Sequence, residues 1–181
     1  VPMGAGGPTS SVDRPDPGKV ASKSGVVGIL ARALGIERGN WTEIEPLTRL
    51  SMGVRHDRPG LPKRDYQTAK DIISADRSKV HPTAVTTRDY IADAAFLVGL
   101  EGDDRALLEK IHAALLDPTW PLALGRKSYV PSESIWVEKG VQGAPLRDVF
   151  ARWSWIGSLR FSAALPDHIL ISLDSHDVSG A

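Results

Sequence analysis

The chain has 181 residues, with 22 Lys plus Arg against 22 Asp plus Glu and no cysteine. That length suits one core, and 41% hydrophobic with 24% charged residues describes a folded globular protein, not a disordered one. Absent cysteine excludes disulfides, thiolate metal sites and cysteine nucleophiles, and zero net charge confines any basic surface to local patches.

No apolar run reaches the roughly 20 residues of a membrane span, and a cytoplasmic location is expected. Residues 1–22 have loop composition, with Gly4, Gly6 and Gly7 close together. No strand precedes these glycines and no Gly-Lys-Ser/Thr closes them, which argues against a nucleotide-binding loop. The chain opens on Val1, and further residues are expected before it.

From Lys23 to Ile36 the apolar residues Val26, Ile29, Leu30, Ala33 and Leu34 recur at helical spacing, predicting a helix with one face against a sheet. Ser24 is the expected N-cap, and Gly35 stands where the helix would stop. Gly25 and Gly28 in the first turns suit close approach of a strand or an anion, and Lys23 adds a cation there. A plain core helix with a tight packing contact explains the same residues.

Thr42 to Met52 is expected as a second helix with Pro46 near its start, and Gly53–Asp57 as a short strand. From Arg58 to about Arg88 cations outnumber acids, prolines punctuate and apolar residues lack periodicity, so this stretch is expected as a long functional loop. Tyr90–Leu100 is apolar enough for a central strand. Asp103 is the expected cap of a helix from Asp104 to Leu116, ended by Pro118 and Pro121. The remainder, 140–181, is expected as a C-terminal appendage with a helix near Leu146–Trp155, a strand at His168–Leu173 and an early stop at Ala181.

One further strand before Val1 would complete a split βαβ order, making the fold class α+β, ferredoxin-like, with residues 1–139 as its body. Modules of that shape leave a sheet face free for RNA. The five histidines are scattered, without metal-ligand spacing, and Ser175-His176-Asp177 cannot make a triad by adjacency alone. Neither a metal site nor a catalytic residue is expected. Two clusters remain: Arg64-Asp65-Tyr66-Gln67-Thr68, which offers an arginine fork beside an aromatic ring, and Gly125-Arg126-Lys127-Ser128, which suits phosphate contact. A solvated loop and an exposed turn account for them equally well. The five tryptophans are expected to pack.

Several stretches together resemble one family. They are Ser22–Gly28, Gly53–Gly60, Arg64–Thr68, Arg88–Phe96 and Pro118–Ser128, in order and covering about residues 20–132. In these the chain resembles the CasD-type subunits of the type I-E CRISPR effector complex Cascade, within the RAMP superfamily. Two departures stand out. Gly4 and Gly6 occupy places where that family has Gln and Trp, and Gln67 a place where it often has histidine.

The resemblance implies a ferredoxin-like body with a long inserted thumb hairpin at about 58–88. It implies a non-catalytic subunit that grips the 5′ handle of the CRISPR RNA, caps the backbone filament, and neighbours the backbone and large subunits. Target DNA would be met only through the complex. No cofactor is implied. The residues expected to touch RNA are Lys23, Ser24, Gly25, Arg55, Arg58, Arg64, Tyr66, Arg126 and Lys127. The alternatives are a repeat-processing endoribonuclease using Tyr66 with a nearby lysine, and an adaptor that touches only protein.

Overall fold

The computed structural model describes residues 21–157 and 168–174, together with the backbone of Met3–Gly4. The first helix, α1 (Lys23–Leu34), starts one turn-residue earlier than its predicted cap. Ser22, not Ser24, is the N-cap: its backbone is extended and its hydroxyl accepts from the Gly25 amide at 3.2 Å. Gly35 ends the helix as expected, in the left-handed region at φ 72, where a side chain would be strained. Helix α2 (Trp41–Arg49) stops short of Met52, because Leu50 is extended and Ser51 enters strand β2 (Ser51–Arg58).

The stretch expected as a loop is a hairpin. Strands β3 (Leu61–Ile73) and β4 (Val80–Ala92) pair antiparallel along their length, with Leu61 opposite Ala92 and Ile73 opposite Val80. Its residues are mostly exposed on both faces, so the ladder is held by backbone hydrogen bonds and leaves no apolar alternation to read. A hairpin thus stands where composition alone predicts a loop, and that reading is corrected. At the tip Asp76 accepts from both Ser74 and Ser78, which pins the turn. At the root, the two-residue β1 (Met3–Gly4) pairs with Ile91 and Ala92.

The single strand predicted for Tyr90–Leu100 is broken at Asp93, whose φ of 62 turns the chain from β4 into β5 (Ala95–Glu101). Strand β5 pairs with β2, and β6 (Leu170–Leu173) pairs with the other edge of β2, giving the order β5-β2-β6. Helix α3 (Arg105–Leu116) begins at Asp104, which accepts from the Leu107 amide at 2.9 Å, one residue after the predicted cap. Helix α4 (Leu146–Arg152) follows a long irregular stretch.

Strand alternation divides the sheet's two faces. On one, Leu100 meets the core formed by Val27 and Leu30 of α1, Leu47 of α2 and Ile111 of α3. On the other, Leu97 packs with Leu146 and Phe150 of α4. Gly53 and Gly99, paired across β2 and β5, make room for α4: a methyl on Gly53 would lie 2.7 Å from Phe150 and from Leu173. Of the region expected as an appendage, β6 pairs with β2 and α4 packs on a face of the sheet. The fold is mixed α/β with antiparallel sheets. The glycines at 4, 6 and 7 and the Ser175-His176-Asp177 stretch lie outside the described side chains.

Candidate nucleic-acid interface

Alternation along β3 puts Arg64, Tyr66, Thr68 and Lys70 on one face of the hairpin, all exposed. Tyr66 is 69% exposed, a large ring left open to solvent. Arg64 reaches across to Asp89 with N···O at 2.6 Å, and that carboxylate pushes the guanidinium pKa up while the arginine holds the carboxyl below its usual range. Two cations, a ring and a hydroxyl on one exposed face form a surface suited to a single-stranded nucleic acid.

The second basic group is built by a tight loop. The Leu124 amide donates to the Tyr129 carbonyl at 2.8 Å and the Tyr129 amide to the Arg126 carbonyl at 2.9 Å, with Gly125 at φ 85. Arg126 and Lys127 sit at its apex. Arg126 donates to the Tyr129 hydroxyl at 3.1 Å and lies over that ring, its guanidinium carbon 5.3 Å from the centroid. Tyr129 is buried between this loop and Tyr90 of the hairpin, and burial pushes its phenol pKa up. Asp65 of β3 receives the Tyr129 hydroxyl at 3.5 Å and faces Arg126 at 3.7 Å, so the loop is tied to the hairpin root.

Arg58 stands where β2 passes into the hairpin and pairs with Asp93 at 3.0 Å, where the hairpin returns to β5. Lys23 at the start of α1 pairs with Asp174 at 2.9 Å. The Gly25 amide, expected to face an anion, is already taken by Ser22. A cleft of about 990 Å³ touches Ser22, Ser24 and Gly25 of α1, Arg58 and Ile91 at the hairpin root, and Gly125, but its lining is mostly apolar and includes none of Lys23, Arg64, Tyr66, Arg126 and Lys127.

Arg55 is the clear correction. It is 3% exposed and turned toward α4, where its guanidinium donates to both oxygens of Asp57 and to the carbonyls of Phe150, Trp153 and Ser154. Nothing remains for a ligand; Arg55 serves the C-terminal end of α4. Tyr129 was missed, although its place three residues after Arg126 was a usable signal. Trp41, expected to pack, is 72% exposed. Among the described residues no group of three or more His, Asp or Glu is placed to hold a metal ion.

Comparison with known proteins defines the class. A family model described as CRISPR-associated protein (Cas_Cas5) matches residues 6–180. The chain belongs to that family. The CRISPR system Cascade subunit CasD of Escherichia coli (strain K12) is 33% identical over 140 residues, covering 70% of this chain and 62% of that protein. The chain thus spans less than two thirds of that relative's length. A crystal structure of a Cas protein is 36% identical with a TM-score of 0.69, covering 96% of this chain and 75% of the other. A chain of a CRISPR RNA-guided surveillance complex is 31% identical with a TM-score of 0.67, covering 82% and 63%. The similarity is to CasD-type Cascade subunits in particular.

Proposed function

We propose that this protein is a guide-RNA-binding subunit of a type I-E Cascade complex, with a ferredoxin-like body and the β3–β4 hairpin as its thumb. It grips the 5′ handle of the CRISPR RNA, caps one end of the backbone filament, and binds without cutting. Its partners are the CRISPR RNA, the backbone subunit and the large subunit, it meets target DNA through the complex, and it works in the cytoplasm. The observation that carries this reading is the exposed Arg64-Tyr66-Thr68-Lys70 face of a hairpin whose residues are mostly exposed beyond its root. Beyond the root, where β1 pairs with β4, the hairpin is two strands wide, and a ribbon of two strands is marginal in water unless a partner covers it.

The contacts proposed are Arg64 and Tyr66 on the hairpin, Arg126 and Lys127 on the loop, Arg58 at the hairpin root, and Lys23, Ser24 and Gly25 at the start of α1. Arg64, Arg58 and Lys23 each exchange a carboxylate partner for phosphate, which lowers the gain per contact. The test is a gel shift with repeat-derived RNA and a scrambled control across a salt series. Selective, steeply salt-dependent binding without products is expected. Products of defined length would establish the processing nuclease instead, and equal binding of both RNAs would defeat handle recognition.

A further inference from the structure

We propose that Asp65 is a built-in competitor for Arg126: its carboxylate occupies the place of an RNA phosphate and is displaced when RNA binds. The inference rests on the RNA-binding reading above and assigns that site an internal regulator. Arg126 is held on three sides. Its guanidinium lies over the Tyr129 ring at 5.3 Å, donates to the Tyr129 hydroxyl at 3.1 Å, and faces the Asp65 carboxylate at 3.7 Å. The first two contacts fix the side chain without neutralising it. Among the described residues Asp65 is the carboxylate paired with Arg126, and it is held loosely, against 2.6 Å for Arg64 with Asp89.

The arrangement is asymmetric in a useful way. Tyr129 is 5% exposed and anchored on Tyr90, so its hold on Arg126 persists when RNA arrives. Asp65 and Arg126 keep 36% and 27% side-chain exposure, so a phosphate can reach the guanidinium and take over from the carboxylate. Exposed pairs of this kind are individually weak, so the exchange costs little. The same exchange leaves Asp65, a β3 residue, tied to the 125–129 loop through the Tyr129 hydroxyl alone, at 3.5 Å. Anion binding at Arg126 is thereby linked to the tie between the loop and the hairpin root.

The test measures binding of a fluorescent single-stranded RNA to the intact protein carrying Asp65→Asn, which keeps size and removes charge. Affinity should rise by about twofold to fivefold, the range that loss of one exposed ion pair gives. The gain should vanish when Arg126→Ala is added. Glu109→Gln on α3 makes the same change in net charge away from the site and should leave affinity at the wild-type value. Should Asp65→Asn melt at lower temperature, Asp65→Ser serves as the second variant, with the same expected gain. Unchanged or weaker binding by both variants, or a gain that persists without Arg126, overturns the competitor role alone. Failure of the wild type to bind RNA overturns the RNA-binding reading as well.

Discussion

Arg55 and Asp57, two residues apart on β2, form a buried bidentate ion pair with both N···O distances at 2.7 Å, and side-chain exposures of 3% and 0%. Asp57 also accepts from the Ile156 amide at 2.8 Å, and its carbonyl accepts from the Trp155 indole at 3.0 Å. The pair therefore fastens the segment after α4 to the sheet from both charges at once. Removing either partner leaves the other charge buried and uncompensated. Arg55→Ala should lower stability by about 3–5 kcal/mol, read as a shifted urea midpoint. A change within about 0.5 kcal/mol, that of an ordinary surface substitution, would refute the role.

The glycine pair under α4 sets a second expectation. A methyl on Gly99 would collide with Leu146, and one on Gly53 with Phe150 and Leu173. Overpacking of this kind costs about 1–3 kcal/mol per site. Gly53→Ala and Gly99→Ala should each lower the melting temperature, and their effects should not add, because both act on the same helix.

His56 makes stability depend on pH. Its ring is buried against Phe96 with Nε2 3.3 Å from the Ser172 hydroxyl, and burial lowers its pKa from the ordinary 6.5. The unfolded chain takes up a proton below 6.5 while the folded one resists it. Stability is therefore full above 6.5 and falls as pH drops from there toward the lowered value. His56→Gln removes that titration, so thermal melts just below pH 6.5 should show a flatter pH dependence in the variant than in the wild type.

Tyr66 separates binding from folding. Its ring is 69% exposed, so Tyr66→Ala should leave the melting temperature within the scatter of surface substitutions. Loss of a stacked base should nevertheless cost about 1–3 kcal/mol of RNA affinity, measured by fluorescence anisotropy. Unaltered affinity would remove Tyr66 from the interface.

The two serines at the start of α1 give the sharpest local contrast. Ser22→Ala deletes the hydroxyl that satisfies the Gly25 amide and should cost about 1 kcal/mol. Ser24→Ala, inside the helix, should cost less, and the reverse order in denaturation midpoints would restore Ser24 as the cap.

What the sequence determined by itself was local. Helical spacing from Val26 to Leu34, the stop at Gly35, the α3 periodicity and the apolar strand ending near Leu100 are all carried by neighbours within a few residues, which is why periodicity reveals them. The ordered family stretches likewise lie in the chain itself, and the family match agrees with them. The hairpin was not legible from composition, because polar residues on both faces hide the alternation, and its ladder depends on pairing Leu61 with Ala92, far apart along the chain. Tertiary structure alone decided that Arg55 turns inward and Arg64 outward. Both are arginines on strands, and only the position of α4, set by the Gly53–Gly99 gap, buries the first and leaves the second in water. The same dependence explains Tyr129. A tyrosine becomes a positioning residue only when a distant strand brings Asp65 and Tyr90 to it.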